Sequence, residues 1–151
     1  YAAQVGGRAV TVDLEPANLE VCRRVTAPYA PVVEYVASDS VRFLREWDQE
    51  QRGAIHLLYL DSLDYFEHQR AASEEHHRAE VAAALPALAA GCLILLDDTE
   101  PTGEMLPGGI PRFTGKGARA VPYLWAQGFA LEWAEGGQAL LSRGAPDRMR
   151  R

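Results

Sequence analysis

The chain has 151 residues, 48% of them hydrophobic and 24% charged, with a formal net charge of −6 at pH 7. That length and apolar content suit one domain with a real core, and they exclude low-complexity disorder and a collagen-like chain. The acidic balance argues against nucleic-acid binding through a basic surface. The longest apolar stretch, 81–96, is broken by Pro86 and Gly91, so no membrane span is expected. With no lysine- or arginine-led signal peptide at the start, Cys22 and Cys92 read as buried thiols of a cytoplasmic protein.

Apolar β-branched runs alternate with helical patterns, the signature of a βαβ chain. Residues 1–6 read as the last turn of a helix closed by glycine. A strand is expected at 8–13, then a helix at 16–27 opened by Pro16. A second strand follows at 32–37, and Ser38 or Asp39 can cap the helix after it. The third strand is 54–61. A loop then leads to a helix over 73–90, capped by Ser73 and kinked by Pro86. The fourth strand, 92–97, is apolar on both faces, as a central parallel strand is. Residues 99–115 hold four glycines and three prolines and read as a long mobile loop, a candidate lid. A helix at 116–127 and an antiparallel hairpin, 129–134 with 138–142, complete the pattern, and 144–151 form a loose basic tail. The expected fold is α/β, Rossmann-like and doubly wound, with a mostly parallel sheet and a C-terminal antiparallel hairpin. Residues 1–143 form the domain.

Ligands of open parallel sheets bind beyond the carboxyl ends of the strands. Four strands here end in acidic or polar signals: Asp13, Ser38-Asp39, Asp61 and Asp97-Asp98. Each aspartate can also simply cap the next element. Asp13 has the form of a carboxylate that accepts both hydroxyls of a ribose, and Asp39, with Ser40 beside it, can face an adenine amino group. Asp61, Asp97 and Asp98 close consecutive strands, and three such carboxylates can hold a hard divalent cation such as Mg²⁺ that activates a substrate hydroxyl. The alternative is that Asp97 orders a loop, Asp98 caps a turn, and no metal binds. His77 lines up with Val81 and Leu85. It can serve as a general base or as a hydrogen-bonded packing histidine. His56 reads as structural, and Trp125 and Trp133 are candidates for a contact surface, as in a homo-oligomer.

In order, the segments AVTVDLEPANL (9–19), VEYVASDSVRFL (33–44), LLYLDSLDY (57–65), EEHHRAEVAAALPALAAGCLILLDD (74–98) and GKGARAVPYL (115–124) resemble the class I S-adenosylmethionine-dependent methyltransferases. The acidic triplet is similar to that of their metal-dependent O-methyltransferase branch. The resemblance implies S-adenosylmethionine and a divalent cation as cofactors, with Asp13, Asp39 and Ser40 on the adenosyl group. It makes Asp61, Asp97 and Asp98 metal ligands, with Asp61 and His77 carrying catalysis. It assigns no role to Lys116 in its Gly-Lys-Gly element. The family's first strand and the glycine-rich turn after it are absent from the 151 residues, which reads as a longer chain upstream. The implied activity is methyl transfer to a hydroxyl of a small molecule, without nucleic acid or membrane as partner. Two alternatives are a cofactor-binding scaffold without turnover and a metal-dependent hydrolase or hydroxylase on the same architecture.

Overall fold

The computed structural model describes residues 4, 6–64 and 66–143. Most of the expected helical turn at 1–6 and all of the 144–151 tail lie outside the described residues. The chain divides into two units, Tyr1–Glu46 and Trp47–Arg151.

In the first unit, β1 (Ala9–Asp13) runs parallel to β2 (Val33–Ala37), paired from Ala9↔Val33 to Asp13↔Ala37. The β-branched run Val10-Thr11-Val12 favours the extended backbone. Helix α1 (Pro16–Val25) starts with proline in its first turn and ends with Arg23 and Arg24 in its last, where cations suit the helix dipole. It stops before the expected residue 27. The Thr26 hydroxyl donates to the Cys22 carbonyl, and Pro28 and Pro31 fold residues 27–32 into a 3₁₀ turn. The short α2 (Ser40–Arg45) buries Val41 and Leu44, which join Leu19 in the core.

The second unit contains a four-stranded sheet in the order β3-β4-β8-β7: β3 (Ile55–Leu60), β4 (Leu88–Leu96), β7 (Phe129–Glu135) and β8 (Gln138–Arg143). β3 and β4 are parallel, and the expected hairpin β7–β8 joins the sheet antiparallel to β4. The short α3 (Gln49–Arg52) precedes β3. Helix α4 (Arg70–Ala84) ends six residues earlier than the sequence suggested. Pro86 lies in a 3₁₀ turn at Leu85–Ala87, and Leu88, Ala89 and Ala90 belong to β4. The register slips between Ile55↔Leu88 and Leu57↔Leu93, and Gly91 takes a positive φ of 75° within the extra length of β4.

One face of this sheet is dry. Leu58 and Leu60 lie beside Ile94 and Leu96, which lie beside Leu141 and Ala139, and all are buried. Val81 and Ala84 of α4 and Val121 and Leu124 of α5 (Gly117–Ala126) are also fully buried. Leu57, Tyr59 and Leu93 occupy the other face and are exposed, so β4 is not covered on both faces as expected. Among the described residues β3 has β4 as its only strand partner.

The stretch 99–115 is not a loop. It forms an antiparallel hairpin, β5 (Thr99–Leu106) with β6 (Ile110–Gly115), paired at its base by Thr99↔Gly115 and at its tip by Leu106↔Ile110. The glycines and prolines serve its turn and its irregular middle. No helix among the described residues is long and apolar enough to cross a membrane. The mixed α/β architecture is Rossmann-like.

The two faces of β4 differ enough to test. Ile94→Ala, at 0% exposure, should destabilise by about 2–4 kcal/mol. Leu93→Ala, at 38% exposure, should cost about 1 kcal/mol or less. Urea unfolding of both variants measures the difference, and equal losses would contradict the register.

Candidate functional site

In the first unit, Asp13 and Asp39 stand at the same carboxyl edge of the parallel pair. The Ser38 amide donates to the Asp13 carbonyl across that edge. Asp13 Oδ1 accepts from the Glu15 amide at 2.8 Å and Oδ2 from Asn18 Nδ2 at 3.1 Å, so the turn into α1 fixes its orientation. Asp39 caps α2, its Oδ1 accepting from the Arg42 amide at 2.8 Å. Ser40 is the first residue of that helix.

In the second unit the ends of β3 and β4 bring Asp61, Asp97 and Asp98 together, with the Asp97 amide donating to the Leu60 carbonyl. Three side chains that the sequence did not single out for this role organise the group. The Tyr59 hydroxyl donates to Asp97 Oδ2 at 3.0 Å and lies 3.5 Å from Asp61 Oδ2. Gln138 Nε2 donates to Asp97 Oδ1 at 3.1 Å. Lys116 Nζ stands 3.0 Å from Asp61 Oδ1 and 3.1 Å from Asp98 Oδ2. The lysine is 1% exposed, whereas both carboxylates are about half exposed.

The residues 115–117 explain how an ammonium reaches this position. Asp98 is one of two non-glycine residues with positive φ among those described, a conformation that aspartate tolerates better than most. It aims its carbonyl at the Lys116 amide, 2.8 Å away. A Cβ on Gly115 would overlap that carbonyl, and Gly115 itself has φ of 74°. A Cβ on Gly117 would overlap the side chain of Thr99, which is buried and donates to the Asp97 carbonyl at 2.9 Å. Both glycines therefore permit close approach of two chain segments.

The electrostatics follow from these contacts. Burial alone would push the Asp97 carboxyl up, but the hydrogen bonds from Gln138, Tyr59 and the Asp98 backbone outweigh it and hold the group below its usual range. Burial likewise opposes the charge on Lys116, and the hydrogen bonds to Asp61 and Asp98 overcome it, raising its pKa. Although the Tyr59 ring is exposed, partial desolvation of its hydroxyl and then the bond to Asp97 raise its pKa, and it stays protonated as a donor.

The three aspartates expected to bind a metal stand together, with Asp61 and Asp98 paired to Lys116. Among the described residues no group of three or more His, Cys, Asp or Glu side chains is arranged to hold a metal ion. The Asp61 and Asp98 oxygens that would face a cation face the Lys116 ammonium instead.

His77 is fully buried on α4. Its Nδ1 lies 3.1 Å from the Ser73 carbonyl, and its Nε2, without a hydrogen-bond partner among the described residues, lies 3.9 Å from Glu80 Oε2. Burial, the largest influence, lowers its pKa and keeps the ring neutral. Glu80 is itself buried and accepts from the Ser62 hydroxyl at 2.6 Å. Sequence reasoning gave Glu80 no role.

A methyltransferase-domain family model matches residues 1–99. The chain belongs to that methyltransferase family. No curated protein matches the chain. Among solved structures, a protein from Corynebacterium glutamicum is 14% identical with a TM-score of 0.66, covering 94% of this chain and 63% of its own. Cofactor-bound Rv0187 from MTB is 19% identical with a TM-score of 0.60, covering 91% and 62%. The N-methyltransferase NodS from Bradyrhizobium japonicum, in complex with S-adenosyl-L-homocysteine, is 11% identical with a TM-score of 0.55, covering 91% and 67%. At these identities the likeness concerns the fold, and the chain spans less than two thirds of the first two.

Buried His77 and partly buried Asp97 make stability pH-dependent in separate windows. The His77 pKa is below its ordinary 6.5, so the unfolded chain takes up that proton first and stability falls as pH drops below 6.5. The Asp97 pKa is below its ordinary 3.8, so its contribution is present above that value and is lost as pH falls through the lower folded one. Denaturant unfolding from about pH 8 down to about pH 3 should show both losses. His77→Gln should remove the first and Asp97→Asn reduce the second; a wild-type profile flat between pH 6.5 and about 5 would contradict a neutral buried His77. Gly115→Ala, which meets a backbone oxygen at positive φ, should destabilise by about 2–3 kcal/mol or more. Gly117→Ala should be partly rescued by Thr99→Ala, and lack of rescue would contradict the contact.

Proposed function

We propose that the chain carries an S-adenosylmethionine-dependent methyltransferase activity (EC 2.1.1 class) whose acceptor is a hydroxyl of a small molecule. The observation that carries this reading is the family match over 1–99, within which Asp13 and Asp39 stand at the carboxyl edge of a parallel strand pair. The cofactor-bound and S-adenosyl-L-homocysteine-bound neighbours support the choice of cofactor. When bound, that cofactor supplies a methyl group on a positively charged sulfur.

We assign the ribose hydroxyls to Asp13, which its turn holds in place, and the adenine side to Asp39 and Ser40 at the start of α2. On the acceptor side we assign Asp61, half exposed and 3.0 Å from the Lys116 ammonium, to receive a hydrogen bond from the acceptor hydroxyl and to take its proton as the oxygen attacks. His77 is assigned to packing, since its ring is out of reach of solvent. The divalent cation drops out of the reading, because Lys116 faces the carboxylates that would hold it. The net charge of −6 favours a small acceptor over a nucleic acid.

Calorimetric titration of the 151-residue chain with S-adenosylhomocysteine tests the cofactor. Binding is expected, weakened about tenfold in Asp13→Asn through the loss of charge-assisted hydrogen bonds. No binding, or equal binding by the variant, would overturn this assignment. Methyl transfer to amines or nucleic acid but to no hydroxyl acceptor would overturn the acceptor class.

A further inference from the structure

Lys116 is the only lysine among the 151 residues; the other fourteen basic side chains are arginines. Arginines make ion pairs elsewhere, as in Arg8–Glu34, Arg78–Glu75 and Arg112–Glu104, all with accessible side chains. The one ammonium is 1% exposed and lies between two carboxylates at 3.0 and 3.1 Å. An ammonium is a compact point charge with three donors, whereas a guanidinium is a flat, wider fork. Among side chains the ammonium comes nearest to the size and charge density of a metal ion.

We propose that Lys116 is the built-in cation of the acidic strand ends: it stands where Asp61 and Asp98 would bind a divalent ion, so this edge operates without metal. The Gly115-Lys116-Gly117 segment is the seat, since side chains at either flanking position would push it away from Asp98 and Thr99. The catalytic meaning of this arrangement, an Asp61 oriented by Lys116, rests on the function proposed above. The occupancy of the site by Lys116 does not. Lys116 acts through Asp61 and is a positioning residue.

Titration of the full chain with Mn²⁺, followed by electron paramagnetic resonance, tests the proposal with a readout that needs no turnover. The wild type should leave Mn²⁺ free, and Lys116→Met should bind it at least about tenfold more tightly, with Asp61→Asn in the same variant removing the gain. Wild-type binding that Asp61→Asn abolishes, or no change on Lys116→Met, would overturn the proposal. If Lys116→Met alone does not fold, the charge-balanced variant Asp61→Asn/Asp98→Asn/Lys116→Met should recover a folding transition. Equal loss in that variant would make Lys116 a packing residue and overturn the proposal as well. S-adenosylhomocysteine titration of the same wild-type sample reports separately on the cofactor, so the two readings fail by different signals.

Discussion

Carboxylates that collect at the ends of adjacent strands repel one another unless a cation or hydrogen-bond donors stand among them. In the second unit that demand is met by side chains of the chain itself. Lys116 answers Asp61 and Asp98, while Tyr59 and Gln138 answer Asp97. Much of the local architecture reads as the means of delivering these groups. Asp98 accepts an uncommon backbone conformation, two glycines open the approach, and Thr99 locks the corner by bonding to the Asp97 carbonyl and, through its amide, to the Gly137 carbonyl.

The same contacts tie fold to chemistry. β8 enters antiparallel beside β4 and carries Gln138 to Asp97, so the C-terminal hairpin contributes to the acidic edge as well as to the sheet. β6 ends at Gly115 and α5 begins at Gly117, so the hairpin 99–115 serves to deliver Lys116. A residue held by two half-exposed carboxylates keeps its charge despite burial, and the carboxylates keep an open side toward solvent. That open side is where an acceptor hydroxyl would meet Asp61 in the function proposed here.

The strands and their acidic ends were legible in the sequence as short apolar runs closed by aspartate. Leu88, Ala89 and Ala90 continue a helical pattern by composition, yet Pro86 ends the helix and pairing with β3 draws them into a strand. The glycines and prolines of 99–115 suggested a loop, but Gly115 is there for contact with Asp98, a neighbour only in space. The acidic triplet was visible, and so was Lys116, but nothing local says that a lysine meets a carboxylate 55 residues away. Without that pairing a metal was the natural partner for three aspartates. Asp13 and Asp39 were easier, since each is fixed by the turn or helix that directly follows it.

Because the chain has a single lysine, its ammonium can be observed alone. Nitrogen-15 NMR of the lysine Nζ in the 151-residue chain reads directly whether that group is charged, buried and hydrogen-bonded. The account predicts one ammonium signal with slow proton exchange at neutral pH, lost to fast exchange in Asp61→Asn/Asp98→Asn. A rapidly exchanging, solvent-like ammonium in the wild type would contradict it.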